Sequence, residues 1–403
     1  MSLSREEIGT RLRHQREVLG FTQKHVAQSL GLHRPTISEI EAGRRDVTSQ
    51  ELFEFARLYV TSLNELLAEP APSEENVTTV LFRRPGLETP DARRAVKKFM
   101  QRCREERELE ELLAIDPPDG VRPSYRVEYP ASTWDAVQQG ENIARKERRR
   151  LGLGGEPMRN PIDLLEQQGV RIAPLNDNND DGVDLDGIYF ETEDLGACIA
   201  VNLRRDDRTG FRAAFTASHE YAHWLLGDVK VEEFNFYADE RELHEVRANA
   251  FAAAFLMPEE GVRSYFGNVG LLREGKISEL SLADIVRAMD YFGVSRQALL
   301  YRLQNLGLIA TATAKDLRDR DWSARDVTSL ARRLGLGLRR QEYISTRLPI
   351  LAIDGWRRGL ITTGRAADLL DQDIAEFKML MSDLGEVREI PSDEPLLGAA
   401  AAD

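Results

Sequence analysis

Cysteine is nearly absent: the 403 residues include two, Cys103 and Cys198, too few for a disulfide framework or a cysteine-based zinc site. That usage fits a reducing cytoplasm. Long apolar runs are missing as well. Nothing approaches the roughly 18 residues that would suggest a spanning helix, and the opening MSLSREEIGTRLRHQ lacks the apolar core of a secretion signal. The expectation is a cytoplasmic protein without a membrane segment. Positive charge is in deficit, with 54 Lys and Arg against 68 Asp and Glu and a net charge of −14. Phosphate repels such a surface, which excludes indiscriminate coating of nucleic acid.

At about 150 residues per domain the length allows two or three domains, and 42% apolar residues suffice for each to bury a core. The composition breaks first at Glu69–Asn76, EPAPSEEN, whose prolines and acids interrupt the helical periodicity and read as a linker. Residues 91–115 follow as a charged amphipathic segment, expected to be a solvated bracing helix that stops at Asp116-Pro117-Pro118. Short alternating runs at 170–174, 187–191 and 197–202 read as strands. The Asp/Asn-rich loop at 176–187 lacks the ligand spacing of a calcium loop. From Phe211 onward the pattern is helix after helix, ending in a polar tail after Glu389. The expected fold is mainly α with a small β-sheet (α+β). Its divisions are a helical head over 6–68, a linker and helix over 69–130, a central domain over 131–310 and a helical interaction region over 311–403.

Positive charge concentrates in the head. Between Arg11 and Arg45 there are seven Lys and Arg against three acids. Helical apolar spacing leads into Thr22-Gln23-Lys24-His25-Val26-Ala27-Gln28-Ser29-Leu30-Gly31, where Ala27 allows a close helix crossing and Gly31 a tight turn. In the next helix Ile37 and Ile40 face inward, leaving Arg34, Thr36, Ser38 and Glu39 on or near the outer surface. This is helix-turn-helix geometry. The segment resembles the lambda-repressor-like XRE family, which implies double-stranded DNA as partner. Gln23, Arg34, Thr36, Ser38 and Glu39 would then approach base edges or phosphates, and Arg44 and Arg45 the backbone. Arg34 is the strongest candidate for reading guanine, since its fork can donate twice to one base edge. His33 stands where this family usually has a Ser or Thr cap, and Pro35 occupies the first turn of the second helix.

Three of the six histidines, His219, His223 and His244, fall close together. Thr216-Ala217-Ser218-His219-Glu220-Tyr221-Ala222-His223-Trp224 contains H-E-x-x-H in an apolar surrounding. A helix places residues four apart on one face, so both imidazoles can reach one metal ion. Glu220 beside that ion can take a proton from the attacking water and pass it to the leaving amine. Two nitrogens leave a site incomplete. The next helix carries Glu245 on one face with Ala248, Asn249 and Ala252, whose small members permit close approach, and Asn249 could orient a ligand side chain. His244 competes as third ligand but points about 100° away from Glu245.

HEYAHWLL followed by EVRANAFAAAFLMP resembles the ImmA/IrrE family of metallopeptidases, from about residue 135 to 310. The resemblance implies Zn2+ held by His219, His223 and Glu245, with Glu220 as general base and Asn249 as support. It also implies peptidases that cleave repressors bearing this kind of head, in stress or mobile-element responses. The function expected is a DNA-binding regulator carrying a zinc endopeptidase that cuts itself or a partner repressor. The rival is a non-proteolytic regulator or antitoxin whose zinc domain senses a ligand or protein. A homodimer is expected because such heads read paired half-sites. Residues 282–309 look like a further helix pair that packs beneath the metal site. Residues 348–385 repeat that look, but Asp371, Asp373, Glu376 and Asp383 face phosphate with the wrong sign, so this part reads as a protein-interaction module.

Overall fold

The computed structural model describes residues 3–67, 87–115, 123, 125–175, 185–202, 211–227, 238–338 and 347–385. The EPAPSEEN linker, most of the Asp/Asn-rich loop and the polar tail lie outside the described residues. The architecture is mainly helical with a small three-stranded sheet and a two-stranded hairpin.

Five helices build the head: α1 (Arg5–Val18), α2 (Gln23–Ser29), α3 (Arg34–Glu41), α4 (Ser49–Tyr59) and α5 (Leu63–Leu67). Ser4, Thr22 and Thr48 cap three of them through side-chain oxygens, and α3 starts at His33 with no side-chain cap, its proline in the first turn. Leu12, Val26, Ile37, Ile40 and Tyr59 are fully buried, so periodic apolar residues define the head core as the sequence anticipates.

The helix at Pro90–Leu113 departs from expectation. It is not a solvated brace: Ala92, Val96, Phe99, Cys103, Glu106, Leu109, Glu110 and Leu113 are buried along its whole length. Their three- and four-residue spacing makes an apolar stripe that three different neighbours cover. At its start Lys97 Nζ donates to Gln15 Oε1 of α1 at 2.6 Å. In its middle Phe99 meets Phe190 edge to face, with ring centroids 5.5 Å apart. At its end Leu109 and Leu113 pack with Leu348, Leu351 and Ala352 of the helix at Arg347–Arg357.

The sheet consists of β1 (Arg171–Pro174), β2 (Gly187–Thr192) and β3 (Gly196–Val201) in the order β1-β3-β2. β1 runs parallel and β2 antiparallel to β3, with Ile188 opposite Ala200 and Tyr189 opposite Ile199. The alternation sorts the faces. Ile188, Phe190, Cys198 and Ala200 turn toward the 90–113 helix, whereas Tyr189, Ala197, Ile199 and Val201 join the core around the 211–226 helix. A sheet covered on both sides reads as continuous apolar runs, as Ile188-Tyr189-Phe190 and Ala197–Val201 do, where alternation was expected.

Two helices then cross beside the sheet, Phe211–Leu226 and Ala238–Leu256, with Thr133–Arg150 packed against the second. Gly140 permits that packing, since a Cβ there would lie 2.4 Å from the Arg247 carbonyl oxygen. Below them the helices Leu282–Phe292 and Arg296–Asn305 share a core with Phe211, Leu256 and Met257, as expected for a segment beneath the site. The hairpin β4 (Leu272–Arg273) and β5 (Lys276–Ile277) was not foreseen, because two-residue strands leave no period to read.

Candidate metal centre

The 211–226 helix has three working faces. Ala217, Tyr221, Ala222 and Leu225 enter the core, and the Tyr221 hydroxyl donates to Glu147 Oε1 at 2.6 Å, anchoring the helix to Thr133–Arg150. Thr216 and Glu220, one turn apart, lie against β2 at Gly187. A Cβ on Gly187 would stand 2.4 Å from Thr216 Cγ2 and 3.2 Å from Glu220 Cγ, so the bare glycine lets the strand approach. His219 and His223 form the third face.

On that face the two Nε2 atoms are 3.2 Å apart, and Glu245 Oε2 lies 3.1 Å from His219 Nε2. Glu245 Oε1 is 3.8 Å from His223 Nε2. One donor atom from each of the three residues falls within 4.8 Å of the others. Ligands 2.0–2.1 Å from a tetrahedral ion sit about 3.3 Å from each other, so the spacing fits a transition-metal ion. The chemistry of the set agrees, because two imidazole nitrogens and a carboxylate turned toward one point could hold such an ion.

Asn249 Oδ1 lies 3.1 Å from His219 Nδ1, on the far side of the ring. Accepting a proton there leaves the Nε2 lone pair directed at the shared point. Burial alone would raise the Glu245 carboxyl. Hydrogen bonds and charge from His219 and His223 outweigh it and hold the group well below the usual carboxylate range. The pocket is lopsided in exposure, with side chains 14% and 6% exposed at His219 and His223 but 45% at Glu245. Access is therefore from the Glu245 side. His244 turns away from the trio and its ring meets that of Tyr129, with centroids 5.4 Å apart.

In the head, Arg34, Glu39 and Arg44 are exposed, and Thr36 and Ser38 half-buried. Two further residues are engaged internally. Gln23 Nε2 donates to Glu41 Oε2 at 2.9 Å, and Arg45 pairs with Glu51 at 2.9 Å. Glu41 is also bound by Arg16 at 2.6 Å, which makes Gln23 part of a partly buried polar cluster. Sequence reasoning missed Gly187, Gly140 and the Tyr221–Glu147 bond. A glycine opening a strand looks like a turn residue, and the tyrosine's partner is far away in sequence.

Comparison with known proteins adds three findings. Residues 165–304 match the IrrE N-terminal-like domain of the peptidase M78 family, and residues 7–68 match a helix-turn-helix domain family. The HTH-type transcriptional regulator ImmR of Bacillus subtilis (strain 168) is 32% identical over 74 residues, 18% of this chain and 58% of that relative. The crystal structure of ComR from Streptococcus suis aligns over 95% of this chain and 89% of its own, at 13% identity and a TM-score of 0.16. The chain thus carries an amino-terminal segment that matches the helix-turn-helix domain family and a central segment that matches the IrrE N-terminal-like domain family.

Proposed function

We propose that this chain is a DNA-binding transcription regulator whose central domain is a zinc-dependent endopeptidase, cutting itself or a partner repressor to lift repression in a stress or mobile-element response. The observation that carries the reading is the convergence of His219, His223 and Glu245, with Glu220 next to His219 in the sequence, in a chain with a helix-turn-helix head. In this reading the domains keep the bounds 6–68, 131–310 and 311–403. His219, His223 and Glu245 would hold Zn2+, which would supply Lewis-acid polarisation of the scissile carbonyl and lower the pKa of water. Glu220 accepts the proton of the attacking water and delivers it to the leaving amide nitrogen. Asn249 keeps the proton of His219 on Nδ1. Double-stranded operator DNA meets Arg34, Thr36, Ser38 and Glu39 on the outer helix, with Gln23 nearby and Arg44 and Arg45 at the backbone. A homodimer in the cytoplasm would read two half-sites.

The test compares wild type, Glu220→Gln and the double change His219→Ala, His223→Ala, each incubated with co-purifying DNA-binding proteins. Wild type should hold stoichiometric zinc and yield zinc-dependent fragments. Glu220→Gln should keep zinc and operator binding but yield none, and the double change should lose zinc. Undiminished cleavage by Glu220→Gln would sink the assignment of the base. Zinc without fragments in the wild type would replace the peptidase by a sensor.

A further inference from the structure

A cavity of about 440 Å³ opens where the last turns of the Thr133–Arg150 helix meet the first turn of the Glu259–Asn268 helix, and neither histidine of the motif nor Glu245 lines it. A volume of this order suits a small molecule. Five arginines line it: Arg145, Arg148 and Arg149 from the first helix, Arg263 from the second and Arg302 from the helix at Arg296–Asn305. Three glutamates stand against them, so the lining carries an excess of two positive charges in a chain whose net charge is −14.

Pairing among the described residues leaves three of these arginines without a carboxylate. Arg302 pairs with Glu141, and Arg263 with Glu259 at 2.8 Å. Arg145 donates to Asn142 Oδ1 at 3.0 Å and Arg149 makes no hydrogen bond or ion pair; both are exposed. Arg148 is 4% exposed and donates to the carbonyl oxygens of Gly154, Phe255 and Glu156, with no carboxylate in ion-pair reach. Burial pushes its guanidinium down to about 10. Arg302 is lowered by burial too, and the like charge of Arg145 adds to that. A helix dipole draws basic residues to the last turn, which accounts for exposed arginines there. It does not account for a buried one lacking a counter-charge, which is costly unless an anion offsets it.

The donors suit phosphate. Arg145 and Arg149 are one turn apart on one helix face, and a guanidinium fork matches two phosphate oxygens at once. The N–H groups of Gly154 and Gly155, which also line the cavity, make no hydrogen bond among the described residues, and a Cβ on Gly154 would meet nothing within 4 Å. A phosphate monoester carries about −1.5 to −2 near pH 7, which balances the excess of the lining. Leu153, Ala254 and Pro258 supply apolar wall for the rest of such a molecule.

We propose that this cavity binds a small organic molecule through a phosphate monoester group, held by Arg145 and Arg149 over the buried charge of Arg148, with its organic part against Leu153, Ala254 and Pro258. The same helix carries Glu147, which accepts from the Tyr221 hydroxyl at 2.6 Å, so the site adjoins the bond that anchors the motif helix. Its occupancy does not depend on whether the metal centre cuts.

The experiment uses the full chain with 13C-methyl labels on leucine and alanine, titrated with phenyl phosphate to millimolar concentration. Methyl signals of Leu153 and Ala254 should shift and saturate, while Leu12 of the head and Leu351 of the carboxy-terminal region stay still. Arg145→Gln and Arg149→Gln should each weaken binding about ten-fold, the loss of a hydrogen bond to a charged group. Both side chains are exposed, so the melting temperature should not change. Arg34→Ala, in the head, should leave the titration as it is. Methyl signals that do not move overturn the proposal, and so do shifts of undiminished affinity in both glutamine variants. Benzoate binding as tightly as phenyl phosphate would overturn the phosphate, and inorganic phosphate binding as tightly would overturn the ester. A short DNA duplex that moves Leu153 and Ala254 when phenyl phosphate does not would overturn the small molecule and assign the arginines to nucleic acid.

Discussion

Asn249 Oδ1 sits 3.1 Å from His219 Nδ1 while Glu245 Oε2 sits 3.1 Å from Nε2 of the same ring. One helix, Ala238–Leu256, thus grips both ends of the first motif histidine, one turn apart on the helix. With Oδ1 accepting, the outer contact would place the proton on Nδ1, while the inner one brings the Glu245 carboxylate up to Nε2.

Asn249→Ala should therefore lower zinc affinity by roughly 10–100-fold, the usual consequence of losing such a partner. Asn249→Asp, which keeps an acceptor in place, should recover most of it. Competition with a chromophoric chelator measures both. Asn249 is exposed, so the melting temperature of the metal-free protein should change little. Equal zinc affinity in all three proteins would remove Asn249 from the site.

Gly187 makes a different prediction, about close approach. In Gly187→Ala the new Cβ would stand 2.4 Å from Thr216 Cγ2, which forces the strand or the motif helix to shift. The expected cost is about 1–3 kcal/mol of stability, typical of overpacking. Thr216→Ser deletes that methyl group and should restore much of the loss in the double variant. Urea unfolding of the four proteins reads the coupling. Strictly additive effects would mean that the strand makes room in another way.

Glu106 gives a pH dependence. Burial pushes its carboxyl up to about 7, despite the opposing Arg171 and Arg347 guanidinium groups, from an ordinary 4.5. Between these values the folded state binds more protons than the unfolded chain, so stability falls as pH rises. The contribution is fully present below 4.5 and gone above about 7. Over that window wild type should lose roughly 3 kcal/mol relative to Glu106→Gln. Urea midpoints of the two proteins across the window measure it, and parallel curves would count against the raised carboxyl.

How much of this was legible follows from distance along the chain. The convergence of His219, His223 and Glu245 was readable because its spacing is local: His219 and His223 are one helical turn apart, and Glu245 shares a face with small residues on the next helix. The head was readable for the same reason, from Ile37 and Ile40 back to Ala27. The burial of the 90–113 helix was not. Its charged residues resemble a solvated face until Arg171 and Arg347, far along the chain, are found paired with Glu106 and Glu110. A buried charge and an exposed one look alike in sequence, and the partner decides. Gln23 illustrates the converse, since its place in a helix-turn-helix pattern hides its bond to Glu41.

That bond separates two roles inside the head. Gln23 donates to Glu41, whose side chain is 4% exposed and also paired with Arg16, so removing the amide leaves a buried carboxylate short of one donor. Gln23→Ala should cost the head about 1 kcal/mol of stability and weaken operator binding no more than that loosening requires. Arg34 is exposed at the start of α3, and no hydrogen bond or ion pair holds it among the described residues. Arg34→Ala should leave thermal unfolding unchanged. Its affinity for operator should fall by about 1–3 kcal/mol, with relaxed preference at one base position. Binding isotherms at fixed salt, beside melting curves of the same samples, distinguish the two. If Arg34→Ala binds as tightly as wild type while Gln23→Ala loses affinity at full stability, the reading face lies on α2, and α3 only supports it.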